Sequence, residues 1–106
     1  IKQNHGVIDT LGFIFNDKFG YCTDVVDFPD NSFSSLYNLK VLIVTGLRES
    51  PHLAHAHFDL SFNWISKLKP EIAYLTHLSP ESDHDVVTKL CPPNVYPAYD
   101  GLTIDI

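Results

Sequence analysis

Three histidines lie close together at His52, His55 and His57, and they are half of the six histidines in the chain. Histidine side chains bind metal ions and transfer protons near neutral pH. A metal-binding helix usually places two histidines four residues apart, so that both rings leave from one face. Here the spacings are three and two, directly after Pro51, and the helical apolar pattern begins only at Phe58. The cluster is therefore predicted to be a loop that leads into a helix, and a self-contained zinc site is not predicted.

Other polar residues stand where sequence patterns predict strand boundaries. Asp24 ends the predicted strand GYCTD, and His77 ends the predicted strand IAYLTH. Functional sites in α/β sheets gather at the carboxyl ends of strands, so this carboxylate and this imidazole are candidates together. His5, followed by Gly6, precedes the first predicted hairpin. Each also has a structural reading: Asp24 as a turn cap, His77 as a core histidine and His5 as a solvated terminal residue.

The composition is that of a globular chain, with 44% hydrophobic and 19% charged residues. The net charge is −6 and there is no basic run, so nonspecific nucleic-acid binding through a cationic face is not indicated. Cys22 and Cys91 are too few for a disulfide framework, which favours reduced thiols and a cytoplasmic location. The longest apolar run, VLIVTGL, is far shorter than the ~20 residues that span a bilayer, so no membrane partner is predicted.

Hydrophobic periodicity predicts strands that alternate with helices. The predicted elements are a hairpin of residues 11–15 and 20–24, a short helix after Pro29, a strand at 40–46, a helix at 58–69 and a strand at 71–77. Ser79 and Pro80 predict the start of a last helix that ends at Leu90. CPPNVYP is expected to be irregular, and GLTIDI (residues 101–106) is expected to be a final strand. This order indicates an α/β or α+β fold.

The same features resemble the second half of the metallo-β-lactamase superfamily. Five ordered segments carry the resemblance: HGVIDTLGFIF, YCTDV, RESPHLAHAH, NWISKLKPEIAYLTH and NVYPAYDGLTI. They are most similar to the branch related to phosphoribosyl cyclic-phosphate phosphodiesterase (PhnP-like), and more distantly to tRNA 3′-processing endonuclease. The resemblance implies half of an αββα sandwich, in which a mixed sheet carries its helices on one face.

The resemblance also implies roles for individual residues. His5, Asp24 and His77 match the last three metal-binding positions of the family, where the aspartate bridges two divalent ions. Imidazole and carboxylate suit zinc or manganese, and a metal-bound hydroxide would attack a phosphate-ester or nucleotide-like substrate. His55 matches the histidine that contacts the substrate phosphate and can act as a general acid. His52 and His57 flank it as residues that could support the site.

The family's hallmark motif, H-x-H-x-D-H, is absent from the sequence. Since the chain also lacks Met and begins at Ile1, residues 1–106 are expected to be the C-terminal portion of a metallo-β-lactamase-like hydrolase domain whose N-terminal lobe is missing. That portion alone is expected to bind metal weakly, to be inactive, and to pair with its lobe or with a second copy as a homodimer.

Two alternatives to a phosphodiesterase stay open. One is a hydrolase of another ester, a thioester or a lactam in the same superfamily. The other is a non-catalytic interaction module that kept the sheet and lost the metal centre. The joint presence of His5, Asp24 and His77 favours an enzyme, because an interaction module has no need for all three.

Overall fold

The fold is known from a computed structural model that describes residues 1–105; Ile106 lies outside the described residues. In chain order the elements are β1 (Lys2–His5), β2 (Ile8–Leu11), β3 (Phe13–Phe15), β4 (Phe19–Cys22), α1 (Asp30–Ser35), β5 (Val41–Thr45), α2 (Phe58–Leu68), β6 (Ile72–Thr76), α3 (His84–Leu90) and β7 (Val95–Pro97). Within residues 1–105, no helix is long and apolar enough to cross a membrane.

Two sheets are formed, and the larger one determines where polar loops can meet. β1 and β2 make a two-stranded antiparallel hairpin, and the other strands make a five-stranded sheet in the order β3-β4-β5-β6-β7. β3 and β4 are antiparallel, whereas β4 to β7 are all parallel to their neighbours. The carboxyl ends of β4, β5 and β6 therefore lie at one edge of the sheet, and the loops that follow them converge there.

The helices cover one face of the five-stranded sheet. One buried cluster joins strand residues such as Leu42, Val44 and Leu75 to the helix residues Trp64 and Val87. The parallel strands follow one another in space as they do in sequence, and right-handed crossovers in such an order place every connecting helix on the same side. The mixed sheet with helices on one face, which the sequence predicted, is confirmed.

The opposite face of this sheet carries an aromatic and aliphatic row, which we call the helix-free row. The strand register places its five members side by side: Phe13, Tyr21, Ile43, Tyr74 and Tyr96. The edge members Phe13 and Tyr96 remain 50% and 44% exposed. An apolar face of this kind is therefore left partly open to solvent.

Two predictions about the C-terminal third are wrong. The last helix begins at His84 rather than at Ser79, because the Asp83 side chain accepts hydrogen bonds from the backbone N–H groups of Asp85 and Val86 and so caps the helix there. The final strand is β7, within the segment expected to be irregular, and residues 102–105 of the expected strand GLTIDI are not in a strand. β7 forms because it pairs with β6. Pairing with a neighbouring strand decided the position of the last strand, and the alternating pattern of GLTIDI did not.

The β1–β2 hairpin is an element that the sequence patterns missed. It is short, and its strands show no clean apolar alternation, so nothing in the local pattern marks it. Its turn requires Gly6, which has a φ of 70°. An isolated bridge between Asn4 and Asp27 fastens the hairpin to the segment that follows β4. The hairpin thus brings His5 to the edge where the parallel strands end.

Candidate metal centre

Four histidine rings gather at the carboxyl edge of the five-stranded sheet, with His55 in the middle. The centroid of the His55 ring lies 4.6 Å from that of His5, 4.7 Å from that of His77 and 5.1 Å from that of His52. His5 ends β1, His77 directly follows β6, and the other two belong to the loop between β5 and α2. Three separate parts of the fold therefore supply this histidine cluster.

Asp24, two residues after β4, places its carboxylate among these rings. Its Oδ1 atom lies 3.8 Å from His55 Nδ1 and 3.8 Å from His77 Nε2. One ligand atom from each of His5, Asp24 and His55 lies within 4.8 Å of the other two. Asp24 is thus the common neighbour of histidines that come from three different elements.

The backbone at Asp24 and His77 is unusual. Both residues have a left-handed conformation, with φ of 54° and 58°. A left-handed conformation costs a non-glycine residue about 1 kcal/mol, and residues of this kind are concentrated at functional sites. Asp24 lies two residues beyond β4 and His77 directly follows β6, so both left-handed residues stand where the chain leaves the sheet.

His5 is oriented by the backbone of the loop between β5 and α2. Its Nδ1 atom lies 2.6 Å from the carbonyl oxygen of Ala54. A carbonyl oxygen only accepts hydrogen bonds, so Nδ1 carries the proton and Nε2 keeps a free lone pair. The neighbouring N–H of Ala54 donates to His52 Nδ1 over 3.0 Å. His5 therefore has the protonation pattern of a metal-binding imidazole, which usually donates its other N–H to a carbonyl or carboxylate.

The electrostatics at His55 favour an uncharged ring. Burial lowers the pKa of His55 below its usual 6.5, and the neighbouring His77, His5 and His52 lower it further, against the opposing effect of Asp24. The Nδ1 atom of His55 is buried and has no hydrogen-bond partner. The surroundings of His55 therefore disfavour its imidazolium form, and only the Asp24 carboxylate favours it.

A divalent cation fits this donor set. Imidazole nitrogen and carboxylate oxygen are ligands of zinc and manganese, and His55 Nδ1 is buried without a hydrogen-bond partner among the described residues. His77 is not part of the tightest group of three, yet its Nε2 atom lies 3.8 Å from the same Asp24 oxygen, Oδ1, that lies near His55 Nδ1. The Asp24 carboxylate is therefore shared by two histidines whose rings stack 4.7 Å apart.

The other candidate residues are placed differently. His57 is the N-cap residue of α2, and its carbonyl accepts the backbone N–H of Ser61. Arg48 donates to the carbonyl oxygens of Ser50 and Pro51 and thereby braces the start of the histidine loop. His84 begins α3 and has its ring 6.3 Å from that of Tyr99.

Sequence reasoning missed two polar residues that support Asp24. Thr10 donates a hydrogen bond to the Asp24 carbonyl, and Gln3 donates to the preceding carbonyl, that of Thr23. Both lie on the hairpin that local patterns did not reveal. Glutamine within a short N-terminal segment gives no signal of burial, so only the pairing of the hairpin with residues 23–27 identifies these two residues.

Comparison with known proteins decides the family. A family model described as a beta-lactamase superfamily domain matches residues 1–78. This chain belongs to the metallo-β-lactamase superfamily. Its fold is similar to the crystal structure of a new diphosphatase from the PhnP family, with a TM-score of 0.94 and 31% sequence identity. The similarity covers 99% of this chain and 41% of the diphosphatase chain. A comparison with curated proteins finds no match.

The PhnP-like relationship predicted from the five sequence segments is thereby confirmed. This chain spans less than half of the length of the diphosphatase chain that it resembles.

Proposed function

We propose that this metallo-β-lactamase-superfamily chain is the C-terminal part of a metal-dependent phosphodiesterase or related phosphoesterase. The observation that carries the proposal is the position of Asp24, whose Oδ1 atom lies 3.8 Å from both His55 and His77. The similarity to a diphosphatase chain supports a phosphate-containing substrate, either a small phosphate ester or a nucleotide-like molecule. The free Cys22 and Cys91 suit a reducing compartment, and a cytoplasmic location stays a prediction.

In this proposal His5, Asp24 and His77 hold two divalent ions, zinc or manganese, together with residues of an N-terminal lobe. The family resemblance gives Asp24 the bridging position, and its Oδ1 atom lies 3.8 Å from both His55 Nδ1 and His77 Nε2. A carboxylate in that position would keep two cations close together. The cations supply activation of water and neutralise charge that develops on the phosphate during hydrolysis. Nδ1 of His5 bonds to the Ala54 carbonyl, so the ligand atom of His5 in this proposal is Nε2.

His55 is proposed to contact the substrate phosphate. Its pKa is low while only imidazoles and a single carboxylate surround it, but an anionic phosphate beside the ring would stabilise the imidazolium and raise that pKa. Substrate binding would then load His55 with the proton that a leaving oxygen needs, which is the role of a general acid. His52 supports the site from the loop, and His57 has a structural role as the N-cap residue of α2.

Asp24→Asn tests the proposal. The amide keeps the size of the side chain and removes the charge that holds the cations, so we expect metal affinity to fall by about 100-fold and hydrolysis of bis(p-nitrophenyl) phosphate to be lost. Asp9→Asn is the matched control, because Asp9 pairs only with Lys2 on the exposed hairpin. Metal content and activity are measured on the intact protein with added manganese or zinc.

The outcomes separate the phosphoesterase from its alternatives. Equal metal content in the Asp24→Asn variant and the wild-type protein would show that this site is not the metal centre. Hydrolysis of thioesters or lactams in preference to phosphate diesters, with the metal still bound, would assign a different substrate class to the same centre.

A further inference from the structure

Gln3 is fully buried in the part of the chain that the structure describes, with 0% of its surface exposed. Its amide nitrogen donates to Thr10 Oγ1 over 3.2 Å and to the carbonyl oxygen of Thr23 over 2.9 Å. Burying an amide costs about 1–3 kcal/mol unless hydrogen bonds replace the lost water. The two bonds satisfy the amide nitrogen, whereas the amide oxygen is buried without a hydrogen-bond partner among the described residues. One of the bonds ends on the residue before Asp24.

Thr10 continues the same chain of hydrogen bonds. It pairs with Gln3 across the β1–β2 hairpin, and its hydroxyl donates to the carbonyl oxygen of Asp24 over 2.8 Å. The hairpin thus sends two polar side chains to two successive carbonyl groups, those of Thr23 and Asp24. Neither bond involves the carboxylate, so both act on the backbone alone.

The backbone that these bonds hold is the strained one. Asp24 has a φ of 54°, and a residue of its kind needs outside contacts to stay there. Gly12 makes room for the arrangement, because a Cβ atom at that position would collide with Gln3 Oε1. After Asp24, the Val26 N–H donates to the Asn4 carbonyl. The hairpin therefore forms hydrogen bonds with the chain both before and after the left-handed residue.

We propose that Gln3 and Thr10 are positioning residues for Asp24. The hydrogen bonds that they make with the carbonyls of residues 23 and 24 keep Asp24 in its left-handed conformation, which aims the carboxylate at the histidine cluster. The inference rests on the proposed function in one respect: Asp24 must hold the cations for the conformation to matter to the reaction.

Thr10→Val is the main test, made in the intact protein. Valine has the shape of threonine and lacks the hydroxyl, so both the bond to the Asp24 carbonyl and the bond accepted from Gln3 are removed with little change in side-chain volume. Thr10→Ser restores the hydroxyl. Thr88→Val is the matched control, because the Thr88 hydroxyl donates to the His84 carbonyl on α3 and is remote in sequence from the hairpin.

Two measurements are made on each variant. The backbone carbon chemical shifts of Asp24 in the metal-free protein report its φ directly and require no bound metal. Manganese affinity, measured by titration calorimetry, reports the consequence. We expect Thr10→Val to move the Asp24 shifts and to weaken manganese binding about 10–100-fold, whereas Thr10→Ser and Thr88→Val remain within about twofold of the wild-type protein.

Two results would overturn the idea. Unchanged Asp24 shifts and unchanged affinity in Thr10→Val would overturn it, as would a loss in Thr10→Ser equal to that in Thr10→Val. Should Thr10→Val not fold, Gln3→Met removes the other bond while keeping the side-chain length, and the same two measurements apply. Failure of the proposed function is distinguishable, because it appears as undiminished metal binding in Asp24→Asn, while the metal-free shifts still decide the positioning role.

Discussion

Burial shifts the pKa values of two side chains near Asp24 in opposite directions. At His55, burial lowers the pKa and keeps an imidazole neutral next to the carboxylate. At Cys22, two residues before Asp24, burial raises the pKa of the thiol to about 12. Low polarity disfavours the charged form of either group. The first effect keeps the His55 ring uncharged until an anion binds beside it, and the second keeps the Cys22 thiol protonated, which is the form that binds metal poorly.

The thiol chemistry of the two cysteines can be tested by alkylation. Cys22 is fully buried with a strongly raised pKa, whereas Cys91 is only half-buried and its pKa is raised less. The thiolate is the reactive form, so we expect iodoacetamide at pH 8 to modify Cys91 in the native protein and Cys22 only after unfolding. Mass spectrometry of peptides locates the label.

The variant Cys91→Ser is the control for this experiment, since it should remove all rapid labelling. Rapid modification of Cys22 in that variant would mean that the strand end before Asp24 opens in the native state. Such opening would also contradict a rigid position for the Asp24 carboxylate.

At the scale of elements, α2 is fastened to β5 by one buried hydroxyl. Ser61 is fully buried on α2, and its Oγ atom donates to the carbonyl oxygen of Thr45, the last residue of β5. This bond lies at the edge from which the histidine loop departs, so it fixes the end of β5, where the loop begins, relative to the first turn of α2, where the loop ends.

Ser61→Ala should therefore destabilise the protein. Loss of a buried donor leaves the Thr45 carbonyl with one partner fewer, and we expect the free energy of unfolding to fall by about 1–3 kcal/mol. Ser66→Ala is the control on the same helix, because the Ser66 hydroxyl makes an exposed bond to the Asn63 carbonyl and should change stability by less than about 0.5 kcal/mol. Urea unfolding measures both; equal effects of the two substitutions would refute the role given to Ser61.

For the whole molecule, the main feature is the uncovered face of the five-stranded sheet. The helix-free row crosses all five strands, and Phe13, Tyr21 and Tyr96 keep 39–50% of their surface exposed. Proteins that stay monomeric rarely expose contiguous apolar patches beyond a few hundred Å². An N-terminal lobe or a second copy of the chain would cover this face.

Residues 1–106 expressed alone are expected to self-associate through the helix-free row. A two-fold pair is the simplest closed arrangement in which one apolar face covers another. Sedimentation equilibrium at micromolar concentration tests this: a mass near 12.0 kDa would be the monomer and would contradict the prediction. Tyr21→Lys with Tyr96→Lys should weaken the association, whereas Tyr37→Lys, at an exposed tyrosine outside the sheet, should not.

The sequence alone determined the central part of this fold. The runs at 40–46 and 71–77 have uninterrupted apolar centres, VLIV and IAYL, and central strands of a sheet need such residues, so β5 and β6 are evident from the sequence pattern. Residues 58–69 repeat apolar side chains at the helical period, which defines α2. Asp24 and His77 are candidates from sequence because functional sites in α/β sheets gather at the carboxyl ends of strands, although each residue taken alone also has a structural reading.

Tertiary structure decided what local patterns do not encode. β7 forms because β6 is available to pair with it. α3 starts at His84 because the Asp83 side chain accepts hydrogen bonds from the first backbone N–H groups of that helix. The support of Asp24 by Gln3 and Thr10 requires a hairpin to fold back onto residues 20 positions away or closer, which no periodicity records. Contacts between distant segments hold strained backbone in place, and such contacts become visible only when the chain is folded.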